Sequence, residues 1–564
     1  MRLNYFARNE IAQHRLHLQW LVAACLPVLL LSAGAYGQGA KPAATCESLA
    51  KLVLPDTTIT MAEVVKAGEF KIPSTGGPGG GMGGPGGGQA GPGGQQGALG
   101  GQNAQAGPGG GAGGFGGGAG GPGGGQATPA NPEFCRVAAT LKPSSDSDIK
   151  IEVWLPTSGW NGKFLGVANM GSGGSIQYRN MITPLVSGYA AAGTDTGHTG
   201  NGLSFIPGHP EKLIDYAYRA DHEMTLKAKA LIKAFYGAGP KYSYWMGCSL
   251  GGVEALTEAY RYPEDYDGIV AGSPVNPLTR FNALQMWAAW LHLKMPDANI
   301  PGTLVTVIHD AAVKACAGPA GSKQGFIDDP LSCHFDPSTL LCKGADTANC
   351  LTAPQVEFMR KLYAGPANPR TGEAIFPGYL PGTETLLGSD GGAHPITVAA
   401  DLYKNAVYKD PNWDWKTMDF DNDITKANAE VTPILDVPPD FTKFLDRGGK
   451  LLIYVGGAEQ LNAGYVASFY EAALKKDPAK KDSIRLFINP GVGHCGGGNG
   501  CDTWEKLETM EKWVENGKVP DTIGSSKVQG GKTIRTRPLC AYPAVATYKG
   551  TGDLDDAASF TCVK

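Results

Sequence analysis

The feature that most constrains this 564-residue chain is a five-residue turn, Gly247-Cys248-Ser249-Leu250-Gly251, set between an apolar run at Tyr242–Met246 and a helical pattern over Val253–Tyr260. Glycines on both sides of Ser249 permit a turn too tight for side chains, and a strand entering with a helix leaving lifts the hydroxyl above the end of a sheet. Apolar runs recur on either side. Ile149–Leu155, Lys163–Asn169, Tyr189–Gly193 and a strand starting at Gly268–Val270 come early, and Lys450–Val455 and Ile484–Ile488 come late. Continuous apolar runs alternating with helical segments predict a mostly parallel sheet covered on both faces, an α/β fold. Hydrophobic residues make up 42% of the chain, which suits one large domain with an insertion, or two domains.

Three stretches depart from this pattern. At the N-terminus Arg2, Arg8 and Arg15 precede an apolar run from Leu18 to Ala35, ending in Ala33-Gly34-Ala35 or Ala35-Tyr36-Gly37. This reads as a signal peptide over residues 1–37, giving a secreted or periplasmic protein with no stable membrane insertion after cleavage. The rival reading is an uncleaved anchor, for which the run falls just short of the ~20 residues of a comfortable span. Val22-Ala23-Ala24-Cys25 has the form of a lipidation box, but the apolar run continues past Cys25. Residues 76–125 are mostly Gly with Pro, Gln and Ala and hold almost no large apolar side chain apart from Phe115, so they cannot bury enough surface to offset their ordering entropy. They are expected to form a disordered Gly-rich loop. Residues 277–437 are loop-rich, carry four cysteines and several aromatics, and read as an inserted lid domain. The sheet domain then occupies 38–276 and 438–564.

The net charge is −4 with no basic stripe, so no nucleic acid partner is expected. The chain has twelve cysteines, and loss of Cys25 with the leader leaves an odd number. An oxidising compartment makes disulfides the default, with one thiol unpaired. No Cys or His grouping has zinc-site spacing, and neither a metal nor another cofactor is expected.

A serine hydroxyl needs a base to become a nucleophile. Of ten histidines, His494 follows a late strand, in the Gly-rich loop Asn489-Pro490-Gly491-Val492-Gly493-His494-Cys495. His198, in Thr194-Asp195-Thr196-Gly197-His198, precedes the serine in chain order and reads as a structural hydrogen-bonding residue. The acid that orients the base should follow the preceding strand. Glu459 does so, 35 residues before His494, which leaves room for a crossover helix and the last strand. Asp436 and Asp440 are the fallback acids. An oxyanion hole needs two backbone N–H groups, expected at Leu250 and, in the loop Asn169-Met170-Gly171-Ser172-Gly173-Gly174, at Gly171.

Cysteines beside both the serine and the histidine make the pattern more specific. Phe134-Cys135-Arg136-Val137, the run PSSDSDIKIEVWLPTSGWNGKFLGV, GTDTGH, GCSLGGVEAL, PGVGHCGGG and RPLCAYPAVATYKGTGD together resemble the tannase and feruloyl esterase family, which includes mono(2-hydroxyethyl) terephthalate hydrolase. The resemblance implies an α/β-hydrolase fold and disulfides Cys46–Cys135, Cys248–Cys495, Cys316–Cys333, Cys342–Cys350 and Cys540–Cys562, leaving Cys501 free. It implies a serine ester hydrolase acting through an acyl-enzyme on a small aromatic ester, such as a gallate or hydroxycinnamate ester, with lid aromatics lining the pocket. Two positions depart from the family. Glu459 stands where the family has an aspartate. The loop that commonly binds calcium in the family has Ala317, Ala320 and Gln324 in place of aspartates. A hard cation needs several oxygen ligands, usually with carboxylate charge among them, so no calcium site is expected there. The competing reading is a non-catalytic binding protein on a hydrolase scaffold. Another rival is a surface-interaction protein in which the Gly-rich loop matters most.

Overall fold

The computed structural model describes residues 42–73, 129–344, 348–388 and 391–564. The expected leader and the Gly-rich stretch lie outside the described residues. Nine strands form one mixed sheet: β1 Thr57–Val65, β2 Phe134–Leu141, β3 Ile149–Pro156, β4 Lys163–Val167, β5 Ala190–Thr194, β6 Tyr242–Cys248, β7 Gly268–Gly272, β8 Lys450–Gly456 and β9 Ile484–Asn489. Their spatial order is β1-β2-β3-β5-β4-β6-β7-β8-β9. From β5 to β9 every neighbouring pair is parallel. β1, β2 and β3 add an antiparallel edge. Two hairpins follow near the C-terminus, β10 Thr522–Gln529 with β11 Lys532–Cys540, and β12 Val545–Tyr548 with β13 Phe560–Val563.

The apolar runs read as buried strands because both faces of the sheet are covered. Residues alternate between two cores along each strand. Ile269, Leu451 and Ile453 face one side, where they join Leu231, Leu256 and Val466 of the helices Ala220–Tyr236, Leu250–Arg261 and Ala463–Lys476. Val270, Leu452 and Tyr454 face the other, with Met181 and Trp513 of the helices Tyr178–Val186 and Lys506–Asn516. Gly166 of β4 is a close-approach position: a Cβ there would lie 2.6 Å from Trp245 Cε3.

Between β7 and β8 the chain makes a helical excursion that includes Leu278–Lys294, Gly302–Cys316 and Ala353–Ala364. Phe281, Phe358 and Tyr403 from it lie in the same contiguous core as the first face of the sheet. Two of the boundaries that differ from the sequence expectation have clear physical reasons. β4 ends at Val167 rather than Asn169, because the Asn169 N–H turns to a carboxylate instead of a strand. The helix expected from Val253 begins at Leu250, directly from the turn. Among the described residues no helix is long and apolar enough to cross a membrane.

Candidate active site

Ser249 sits between the last residue of β6 and the first of the helix Leu250–Arg261, with φ 66° and ψ −119°. Such a conformation costs a non-glycine residue on the order of 1–3 kcal/mol and persists only where the surroundings enforce it. Here its N–H donates to Gly272 O at 3.0 Å, and its carbonyl accepts from Gly252 and Val253. The flanking glycines are steric necessities: a Cβ on Gly247 would lie 2.3 Å from Ala168 Cβ, and one on Gly251 would lie 2.6 Å from the same atom. The turn is wedged against the end of β4.

Glu459 and His494 reach Ser249 from the loops after β8 and β9, beyond the intervening β7. His494 Nε2 is 2.8 Å from Ser249 Oγ, and His494 Nδ1 is 2.5 Å from Glu459 Oε2. The carboxylate is fully buried and its second oxygen is saturated. Oε1 accepts from Gly456 N–H at 2.7 Å and from Ser273 Oγ–H at 2.6 Å. Gly456 is a close-approach position too: a Cβ there would lie 2.3 Å from Val492 O and 3.1 Å from Glu459 Oε1. With glycine at 456 the loop after β8 closes onto the histidine loop, and the longer glutamate folds back onto its own loop's amide. Burial alone would lower the His494 pKa, but the charge and hydrogen bond of Glu459 outweigh it and hold it above its ordinary 6.5. An imidazole so placed can take the hydroxyl proton and carry the resulting charge beside a carboxylate.

Cys248 and Cys495 are disulfide-bonded, so covalent bonds run from the residue before Ser249 to the residue after His494. The other bridges are Cys46–Cys135, Cys316–Cys333, Cys342–Cys350 and Cys540–Cys562. Cys501 is a buried free thiol whose pKa burial pushes up to about 11.

The Leu250 amide opens its helix, and the Gly171 amide lies in the loop after β4, with φ +63° at Gly171. Neither N–H has a backbone acceptor among the described residues. Helix start and glycine turn both leave such donors unfilled. His198 is buried, stacks on Phe205 at 3.9 Å and lies under the glycine loop, where a Cβ on Gly173 would meet its ring at 3.1 Å. Burial pushes its pKa down to about 4, so it is a neutral packing residue. The fallback acids are engaged elsewhere, Asp436 by Thr279 and Thr432, and Asp440 by Thr442. Ser273 escaped the sequence reading. Its position one residue past β7 was the available signal.

The loop matching the family's calcium site does not fit a calcium ion. Ala317 and Ala320 offer no side-chain oxygen. Gln324 Oε1 accepts from Arg537 Nη2 at 2.8 Å. Asp328 accepts from the Gly318 and Gly321 amides, and from Arg537 Nη1 at 2.9 Å. The positive charge facing Asp328 is therefore a guanidinium from β11.

A serine, carboxylate and histidine meeting at the C-terminal ends of parallel strands, in this chain order, define the α/β-hydrolase class. Comparison with known proteins narrows the class. The sequence model of tannase and feruloyl esterase matches residues 135–563. An uncharacterized esterase of Xanthomonas campestris is 34% identical over 492 residues, covering 77% of this chain and 85% of the relative. A probable feruloyl esterase B-2 of Aspergillus terreus is 33% identical over 462 residues, covering 76% of this chain and 86% of its own length. The crystal structure of feruloyl esterase B from Aspergillus oryzae superposes with a TM-score of 0.75 at 28% identity, covering 92% of this chain and 99% of that one. The chain belongs to the tannase and feruloyl esterase family and is a carboxylic ester hydrolase.

Gly251→Ala forces a Cβ to within 2.8 Å of Asn169 O, and should lower thermal stability by about 1–3 kcal/mol and ester turnover with it, read by calorimetry and steady-state kinetics. Incubation with EDTA should leave activity and melting temperature unchanged. Arg537→Met leaves Asp328 without its cation and should cost about 3 kcal/mol of stability, read by denaturant melts.

Proposed function

We propose that the chain hydrolyses small aromatic carboxylic esters, such as gallate or hydroxycinnamate esters, by a two-step serine mechanism. The observation that carries this reading is the continuous hydrogen-bonded line from Ser249 Oγ through His494 to the buried Glu459. Ser249 attacks the ester carbonyl while His494 Nε2 accepts its proton. The Leu250 and Gly171 amides receive the charge that develops on the carbonyl oxygen. His494 returns the proton to the leaving alcohol, and water, deprotonated by the same imidazole, then releases the acid. Glu459 holds the imidazole tautomer and stays charged while the imidazolium forms.

The aromatic acyl group is supported by the names of the relatives, a feruloyl esterase B-2 and a feruloyl esterase B. Residues 277–437, between the strand that leads to Ser273 and the strand that leads to Glu459, are the proposed lid. Five disulfides support a secreted or periplasmic location, where an oxidising environment keeps them formed.

Ser249→Ala should lower kcat by about 10³-fold or more on a p-nitrophenyl ester and abolish labelling by a fluorophosphonate. Undiminished turnover would rule out the serine mechanism. A panel of gallate, ferulate, chlorogenate and terephthalate monoesters should give its highest kcat/KM on one of these aromatic acids rather than on short aliphatic esters. The base works only when neutral, and its pKa is raised. The acid limb of kcat/KM should therefore fall away below a midpoint above 6.5, read from a pH–rate profile.

A further inference from the structure

We propose that Glu254 is a positioning residue for the oxyanion loop: from the helix that begins at Leu250, directly after Ser249, its carboxyl holds the backbone of Asn169 and so fixes where the loop 169–174 meets the nucleophile. The proposal rests on the roles assigned above to Ser249 and Gly171.

Three observations carry it. Glu254 is 2% exposed, and its Oε2 accepts the Asn169 N–H at 2.9 Å. Asn169 is itself 1% exposed and lies beyond Val167, the last β4 residue paired with β6. Its N–H has left the ladder, and without Glu254 it would be a buried donor with no partner, a loss of about 1–3 kcal/mol.

The same contact joins the two halves of the proposed oxyanion hole. Glu254 is five residues after Ser249 on the helix that supplies the Leu250 amide, and Asn169 is two residues before Gly171. A Cβ added to Gly251 would lie 2.8 Å from Asn169 O, so helix and loop already touch there. Packing sets how near the loop comes. A directional hydrogen bond from the same helix sets its rotation, which decides where the following amides point.

A carboxyl is also an expensive way to fill this space. Its titratable neighbours are Asp221 of the helix Ala220–Tyr236, Glu258 one turn along its own helix, and Tyr216, and burial raises the pKa of each. No Lys, Arg or His side chain hydrogen-bonds to Glu254 among the described residues. Burial raises its pKa to about 7, against the pull of its bond to Asn169. A leucine would fill the volume at less cost to the fold. What the carboxyl adds is an acceptor, and protonated or ionised it retains an oxygen for the Asn169 N–H.

The experiment compares Glu254→Leu and Glu254→Gln, with Ser249→Ala as reference, by kcat, KM and melting temperature on an aryl ester. Leucine keeps the volume and loses the acceptor. It should lower kcat about 10- to 100-fold with KM changed less than about threefold, since the loss falls on the transition state. Its melting temperature should stay near the parent value, because removing the costly buried carboxyl offsets the unpaired Asn169 N–H. Glutamine keeps a carbonyl oxygen and should bring kcat back to within about threefold of the parent. If Glu254→Leu does not fold, Glu254→Met is measured in its place against the same expectation. A folded leucine or methionine variant with kcat within about twofold of the parent overturns the proposal, as does an equal fall with glutamine and leucine. If Ser249→Ala is inactive and these outcomes hold, the positioning role alone fails. If Ser249→Ala turns over normally, the assignment of the site fails and the proposal with it.

Discussion

The site depends on one buried charge. Glu459 is fully enclosed, and a carboxylate in that setting is stable only if its lone pairs are filled. Ser273 and Gly456 fill one oxygen, which leaves the other directed at His494 Nδ1. The three groups come from the ends of β7, β8 and β9, so the sheet itself sets the geometry. Glutamate works here because its loop is glycine where side chains would collide. The extra methylene is taken up by folding the carboxyl back onto the Gly456 amide, and the reach to the imidazole is kept.

The loops that carry the serine and histidine are tied to each other as well as to the sheet. Cys248–Cys495 links positions 247 residues apart in sequence. Ser249 and Cys495 both adopt left-handed backbone, at φ 66° each, on the two sides of that bridge. Strained residues at both ends of a covalent tie are held in place by the packing beneath them: Ala168 and Asn169 against the nucleophile turn, and Val492 O and Gly493 O against the acid loop. The cost of strain falls on a few residues, and the rigid core under them absorbs it.

Much of this was legible in the sequence, for identifiable reasons. Strands β3 to β9 read clearly because burial on both faces demands continuous apolar runs. β1 did not, because Thr57–Val65 is an edge strand of alternating exposure and carries polar residues throughout. That Ser249, Glu459 and His494 would lie together was readable from turn chemistry and chain order. Ser273 and Glu254 were not, because their value lies in partners 186 and 85 residues away in sequence. The family's calcium loop shows the same limit from the other side. The missing aspartates were visible in the sequence, whereas the guanidinium of Arg537, 209 residues from Asp328, appears only once the chain is folded.

In the proposed mechanism Glu459 sets the charge and orientation of His494. The measurement that tests it most directly is the ionisation midpoint of the His494 ring, followed by NMR in the parent protein and in Glu459→Gln. A midpoint above 6.5 in the parent is expected from the outweighing effect of Glu459, with a fall below 6.5 once that charge is removed and burial alone acts. A midpoint that does not move on substitution would contradict the account.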